Sequence, residues 1–208
     1  MSTTITTLSI FVLVSIGSCY TSKIWDASLL RMNQLRAIHR VGPVKSTVYL
    51  ETHAQEWADT MAEHDLWQHS TTWYGENIAG GWANTMEDFN STDKNKYVID
   101  AINMWYSEIK DYNFNFQGWS TKTGHFTQLV WRSTTEVGIG VSYREESKMV
   151  FVVMNYNPPG NYPSRFSDNV FPPIQVRETK GAPPSPPPTS KPKPKPPNRR
   201  LLSPPPKA

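Results

Sequence analysis

Up to about residue 110 the apolar positions repeat at helical spacing, and beyond residue 130 the period shortens. Leu29, Met32, Leu35 and Ile38 recur every three residues, and Gly42-Pro43 stops the run, which predicts a helix over about 24–38. Leu50, Ala54, Trp57, Ala58 and Met61 share one face of a second helix, ringed by Glu51, Glu56, Asp59 and Glu63. A third runs over about 96–110, where Val98, Ile102, Trp105, Ile109 and Tyr112 repeat at gaps of four, three, four and three. Val137-Gly138-Ile139-Gly140-Val141 then alternates as an outer strand, and the unbroken run Met149–Met154 reads as a buried one. Arg144–Lys148 is the polar hairpin loop between them, and Thr127–Val130 is read as a further strand. Asn157-Pro158-Pro159-Gly160-Asn161 is a turn that closes the core. Helices first and strands later, with no βαβ alternation, predict an α+β domain with helices packed on an antiparallel sheet.

Composition separates the two ends from this domain. Ile10–Gly17 is a short apolar run followed by small residues, too short to span a bilayer, so 1–20 reads as a secretory signal peptide. An uncleaved membrane anchor is the alternative. Cys19 is the only cysteine in the 208 residues, which excludes a disulfide framework, a cysteine nucleophile and a thiolate metal site in the domain at 21–175. Residues 176–208 hold eight Lys and Arg against one acid, for +7, whereas 1–175 hold thirteen against seventeen, for −4. Twelve of the eighteen prolines lie in 181–208. That tail is expected to be disordered or polyproline II, either a spacer or a contact for acidic polymers or a membrane surface. Nothing points to a nucleic-acid partner.

Two histidines and two glutamates carry the candidate chemistry: His69, Glu76, Glu108 and His125. Imidazoles with carboxylates suit zinc or another divalent cation, and they also move protons. Read one at a time, His125 is equally a hydrogen-bonded core residue, Glu76 an acceptor for backbone N–H groups, and Glu108 a solvated helix charge. His39, His53 and His64 read as surface residues. Trp67, Trp73, Tyr74 and Trp82 cluster in sequence around His69 and Glu76 as amphipathic lining. Asn90-Ser91-Thr92 is the one glycosylation sequon, placed in a loop before the third helix. Neither a His-Glu-x-x-His helix nor a Gly-x-Ser-x-Gly elbow is present.

Four words of the chain resemble the CAP superfamily of cysteine-rich secretory, antigen 5 and pathogenesis-related proteins. They are Gly75-Glu76-Asn77, Trp105-Tyr106-Ser107-Glu108, Gly124–Trp131 and Asn155–Asn161, in the family's order. The resemblance covers about 24–170 and is strongest to the cysteine-poor branch with the Golgi-associated plant pathogenesis-related protein. It implies a three-layer α-β-α sandwich with a cleft lined by His69, Glu76, Glu108 and His125. It also implies binding of a sterol, fatty acid or other apolar ligand by a secreted, extracellular module. The alternative is a metal-dependent, protease-like hydrolase using the same four residues. One departure is Met32-Asn33-Gln34-Leu35-Arg36, where the family often has His before the Asn.

Overall fold

The computed structural model describes residues 23–174 and 201–207. In chain order these hold α1 (Asp26–Ile38), β1 (Lys45–Ser46), α2 (Val48–His64), β2 (Gly75–Trp82), α3 (Met86–Ser91), α4 (Lys94–Tyr106), α5 (Gly124–Leu129), β3 (Glu136–Arg144), β4 (Met149–Asn157) and α6 (Phe166–Asn169). The expected signal peptide and residues 176–200 lie outside the described residues; among the described residues no helix is long and apolar enough to cross a membrane.

Side chains of β4 alternate between two cores. Phe151 and Val153 meet Ala54, Ala58 and Met61 of α2 on one face of the sheet. Val150, Val152, Met154 and Tyr156 meet Met32 and Leu35 of α1 and Val98, Ile102 and Trp105 of α4 on the other. The result is the expected α-β-α sandwich. The sheet order is β1-β3-β4-β2, with β3/β4 and β4/β2 antiparallel. One expectation changes here: β1 runs parallel to β3, so the sheet is mixed rather than wholly antiparallel. Two residues carry no period, and Lys45–Ser46 is recruited by backbone bonds from Lys45 N–H to Thr135 O and from Thr47 N–H to Val137 O.

The alternation in β3 has a different cause from the one its sequence suggests. A Cβ at Gly138 would stand 2.0 Å from the Leu50 carbonyl carbon, and one at Gly140 would stand 2.3 Å from that of Ala54. The glycines form a bare face on which the α2 backbone lies, so β3 is buried on both faces, although among the described residues no strand pairs with its outer edge beyond Val137. Thr127–Val130 is likewise no strand. Gly124–Leu129 forms α5, all six residues buried. A short run buried all round, with His125, Thr127 and Gln128 included, has no solvent-facing side to reveal its period.

Arg36 and His39 leave α1 for the interior. Arg36 is fully buried and donates to the carbonyls of Gly42, Leu129, Trp131 and Thr134, which ties α1 to both ends of the α5–β3 connection. Burial lowers its pKa to about 10, so it stays charged. Asn33, in the departing motif, holds Val44 through its amide in both directions, at 3.0 and 2.8 Å.

His39, expected at the surface, is fully buried among Tyr106, Phe114 and Phe126. Its Nδ1–H donates to Phe171 O at 2.6 Å, and its Nε2 then accepts from the Tyr106 hydroxyl at 3.0 Å. Both nitrogens are satisfied in the neutral ring, and burial lowers the pKa below 6.5 despite the bond to Phe171. The unfolded chain therefore takes up this proton more readily than the folded one. The stabilisation is complete above about pH 6.5 and is lost as pH falls from there toward the folded value. Urea denaturation from pH 7.5 to 5 should show stability falling with acid, with a shallower slope in His39→Gln. Equal slopes would contradict this assignment.

Candidate functional site

Strand β2 is the edge of the sheet, and its register sets the first carboxylate. Glu76 stands opposite Asn155 of β4 and is almost wholly buried. Its Oε1 accepts from His69 Nδ1 at 2.6 Å and from the Ser70 N–H at 2.9 Å, and its Oε2 accepts from Asn155 Nδ2 at 3.2 Å. Burial alone would raise this carboxyl, but the bonds from His69 and Ser70 outweigh it and hold its pKa below the usual 4.5. Glu76 is thus both the acceptor for a backbone N–H and the partner of a histidine.

The second pair forms on the other side of β2. The polypeptide leaves α4 at Tyr106 and tightens into a 3-10 turn over Ser107–Asp111, which presents Glu108. Glu108 Oε1 accepts from His125 Nδ1 at 2.7 Å, and Oε2 accepts from the backbone N–H groups of His125 and Phe126, each at 3.0 Å. The Trp105 ring stacks on His125 with centroids 6.3 Å apart.

The Asn155–Asn161 turn holds α5 in place. Asn161, at a φ of 62°, accepts from the Thr127 hydroxyl and donates to Gly124 O. Gln128 Oε1 accepts from the Gly160 N–H at 2.8 Å. A Cβ at Gly75 would sit 2.3 Å from that same Gln128 oxygen. The Asn155–Asn161 word therefore positions the histidine of the Gly124–Trp131 word.

The four expected residues thus meet as two imidazole–carboxylate pairs flanking β2. Each imidazole spends Nδ1 on its carboxylate and turns Nε2 toward a single segment, Leu201–Lys207. His69 Nε2 is 2.7 Å from Pro205 O, and His125 Nε2 is 3.3 Å from Ser203 Oγ. Among the described residues no three His, Cys, Asp or Glu side chains are arranged to hold a metal. The carboxylates stand behind the rings, so the two Nε2 atoms are the available donors.

With this geometry fixed, the chain can be compared with known proteins. The model of the cysteine-rich secretory protein family, CAP, matches residues 29–156, which include all four site residues. The chain belongs to the CAP family. The CAP domain here is 35% identical over 147 residues to human Golgi-associated plant pathogenesis-related protein 1, covering 68% of this chain and 88% of that protein. It is 33% identical over 141 residues to Protein PRY2 of Saccharomyces cerevisiae, covering 67% of this chain but only 39% of that one. The solved structure of BmVAL-1 superposes with a TM-score of 0.55 at 20% identity, over 71% of this chain and 82% of that one. That likeness shows the shared CAP sandwich.

Some residues of the CAP site were hidden from sequence reasoning in different degrees. Asn155 and Asn161 stood inside a recognised word without an assigned task, and Ser70 was only a neighbour of His69. Ser203, Pro205 and Lys207 gave no signal, because they belong to a stretch whose composition predicts no packing. Asn90 is exposed on α3 rather than in a loop.

The buried Glu76 carboxylate makes the sharpest demand for partners. Glu76→Ala leaves the Ser70 N–H, the His69 ring and the Asn155 amide without their acceptor, and should cost about 3 kcal/mol in urea denaturation. A loss under about 0.5 kcal/mol would contradict its structural role.

Proposed function

We infer that this CAP protein is a non-enzymatic, secreted binding module whose cleft takes zinc or a similar divalent cation on His69 and His125. The observation that carries this reading is the orientation of both rings. Each gives Nδ1–H to a carboxylate, so once Pro205 O and Ser203 Oγ are displaced the neutral ring presents its lone pair at Nε2. Glu76 and Glu108 are then orienting groups rather than direct ligands, and two imidazoles leave coordination positions for water or an incoming ligand. When bound, the cation would supply a Lewis-acid anchor for such a ligand. His69 and His125 hold it, and Glu76 and Glu108 fix the rings.

An apolar ligand such as a fatty acid or sterol has a place beside this hollow. A cavity of about 460 Å³ is lined by Trp73, Tyr74, Trp119 and Tyr162 and reaches Gly75 and Asn161 at the ends of the two pairs. Its size and aromatic walls suit the end of such a molecule. The apolar run at Ile10–Gly17 and the family described as secretory support an extracellular location, and exposed Asn90 is then a sugar acceptor. The basic prolines of 176–200 are read as a contact for acidic polymers or an anionic surface.

The hydrolytic alternative gains no support from the hydroxyl beside His125. Ser203 Oγ directs its own proton to the Ile78 carbonyl and so does not offer it to the imidazole.

Calorimetric titration of the secreted protein with Zn²⁺ should give one site per chain. His69→Ala and His125→Ala should each weaken it at least tenfold, with His64→Ala unchanged. Zinc binding insensitive to both substitutions would refute the assignment.

A further inference from the structure

An edge strand leaves a row of unpaired N–H and C=O groups, and in a folded protein something covers or blunts it. On β2 that row is covered by Leu201–Lys207. Leu202 forms an antiparallel bridge with Gly80: Gly80 N–H donates to Leu202 O at 2.6 Å, and Leu202 N–H donates to Gly80 O at 3.2 Å. Next along the edge, the Ser203 hydroxyl bonds to Ile78 O. Asn198–Ser203 is free of proline, so the backbone there keeps the N–H groups that strand pairing requires, and Leu201 and Leu202 are the apolar residues of that run.

The residues that follow are seated by side chains of the site itself. Pro205 O accepts from His69 Nε2, and the Lys207 carbonyl accepts from Asn161 Nδ2 at 3.3 Å. Pro204 and Pro206 are buried while Pro205 is exposed. Pro206 rests on Gly124, where a Cβ would come within 2.3 Å of its Cγ, whereas the nearest domain atom, Trp119 Nε1, would be 3.6 Å away. Lys207 Nζ donates to the carbonyls of Ser70 and Thr72, at 3.2 and 2.6 Å. Burial lowers its pKa while the charge on Glu76 opposes that shift. The segment's one charge, on Lys207, lies within reach of the Glu76 carboxylate.

We propose that the outer edge of β2 and its two flanking histidines form a receptor for an extended, leucine-headed, proline-rich, lysine-ended peptide, occupied by the chain's own Leu201–Lys207. Resting on the metal reading above, the segment and a cation exclude one another. A carbonyl only accepts hydrogen bonds, so Pro205 O requires a hydrogen on His69 Nε2, the atom whose lone pair a metal needs. Leu201–Lys207 is therefore a strap across the cleft, and ligands of the two imidazoles bind by displacing it.

Amide hydrogen exchange on the full chain tests the strap without any metal, at a concentration where light scattering reads a monomer. Two variants release it from opposite sides. Leu202→Pro removes the N–H that bonds to Gly80 O, and Gly124→Ala fills the seat of Pro206. In both, the Gly80 amide should exchange at least tenfold faster than in the unmodified protein, while the β3 and β4 amides stay protected as a folding control. Unchanged Gly80 protection in both variants would overturn the proposal. Zn²⁺ titration of the same proteins then tests exclusion, with affinity at least tenfold tighter once the strap is released. Equal zinc affinity despite lost protection would overturn the exclusion. Lost protection with no zinc binding in any of the proteins would support the peptide seat and refute the metal reading alone.

Discussion

A carboxylate taken out of water must be met by donors, and Glu76 is met by three, from a loop, a backbone N–H and the neighbouring strand. The rest of the cleft depends on that obligation. The β2/β4 register puts Glu76 opposite Asn155, and the imidazole that completes its shell is thereby pinned with Nε2 facing outward along the sheet edge. Glu108 repeats the device from another layer, where a 3-10 turn after α4 and the first N–H groups of α5 converge on one carboxylate. The sandwich supplies what each device needs. Bare glycines let α2 lie on β3, Arg36 ties α1 to the α5–β3 connection, and the Asn155–Asn161 turn props up α5.

Much of this was legible in the residues. Helices α1, α2 and α4 follow from their apolar spacing, because each has a long buried face with a solvent-facing complement, and β3 and β4 follow from a Val-Gly-Ile-Gly-Val alternation and an unbroken apolar run. Strand β2 was not read, since Gly75-Glu76-Asn77-Ile78-Ala79-Gly80-Gly81-Trp82 has few residues of high strand propensity. Its existence is a tertiary effect: β4, apolar on both faces, needs a hydrogen-bonding partner on each side. The same holds for α5 and His39, whose burial comes from neighbours distant in sequence. The four site residues were recognisable by their surrounding words, but their division into two oriented pairs rests on distances that no spacing encodes.

Leu201–Lys207 shows why composition is a poor guide at short length. Across 176–208 the prolines remove so many donors that no packed element is expected, yet one residue with a free N–H, Leu202, suffices for one bridge to a waiting edge. An open strand edge asks little of its partner beyond an N–H, a C=O and an extended backbone. The same edge lies between the two imidazoles, so a contact made for backbone reasons also closes the site. Structure and proposed function therefore meet at one strand, whose inner side builds the sheet and whose outer side is the floor of the cleft.

The central claim is that His69 and His125 act on one shared hollow through their Nε2 atoms. Long-range ¹H–¹⁵N spectra of the imidazole rings during a Zn²⁺ titration read this directly, since each ring nitrogen reports its own proton or metal. The account predicts that the Nε2 signals of His69 and His125 move together with a single midpoint, while both Nδ1 atoms keep their protons and His39, His53 and His64 stay still. Separate midpoints for the two rings, or loss of the Nδ1 protons, would contradict it.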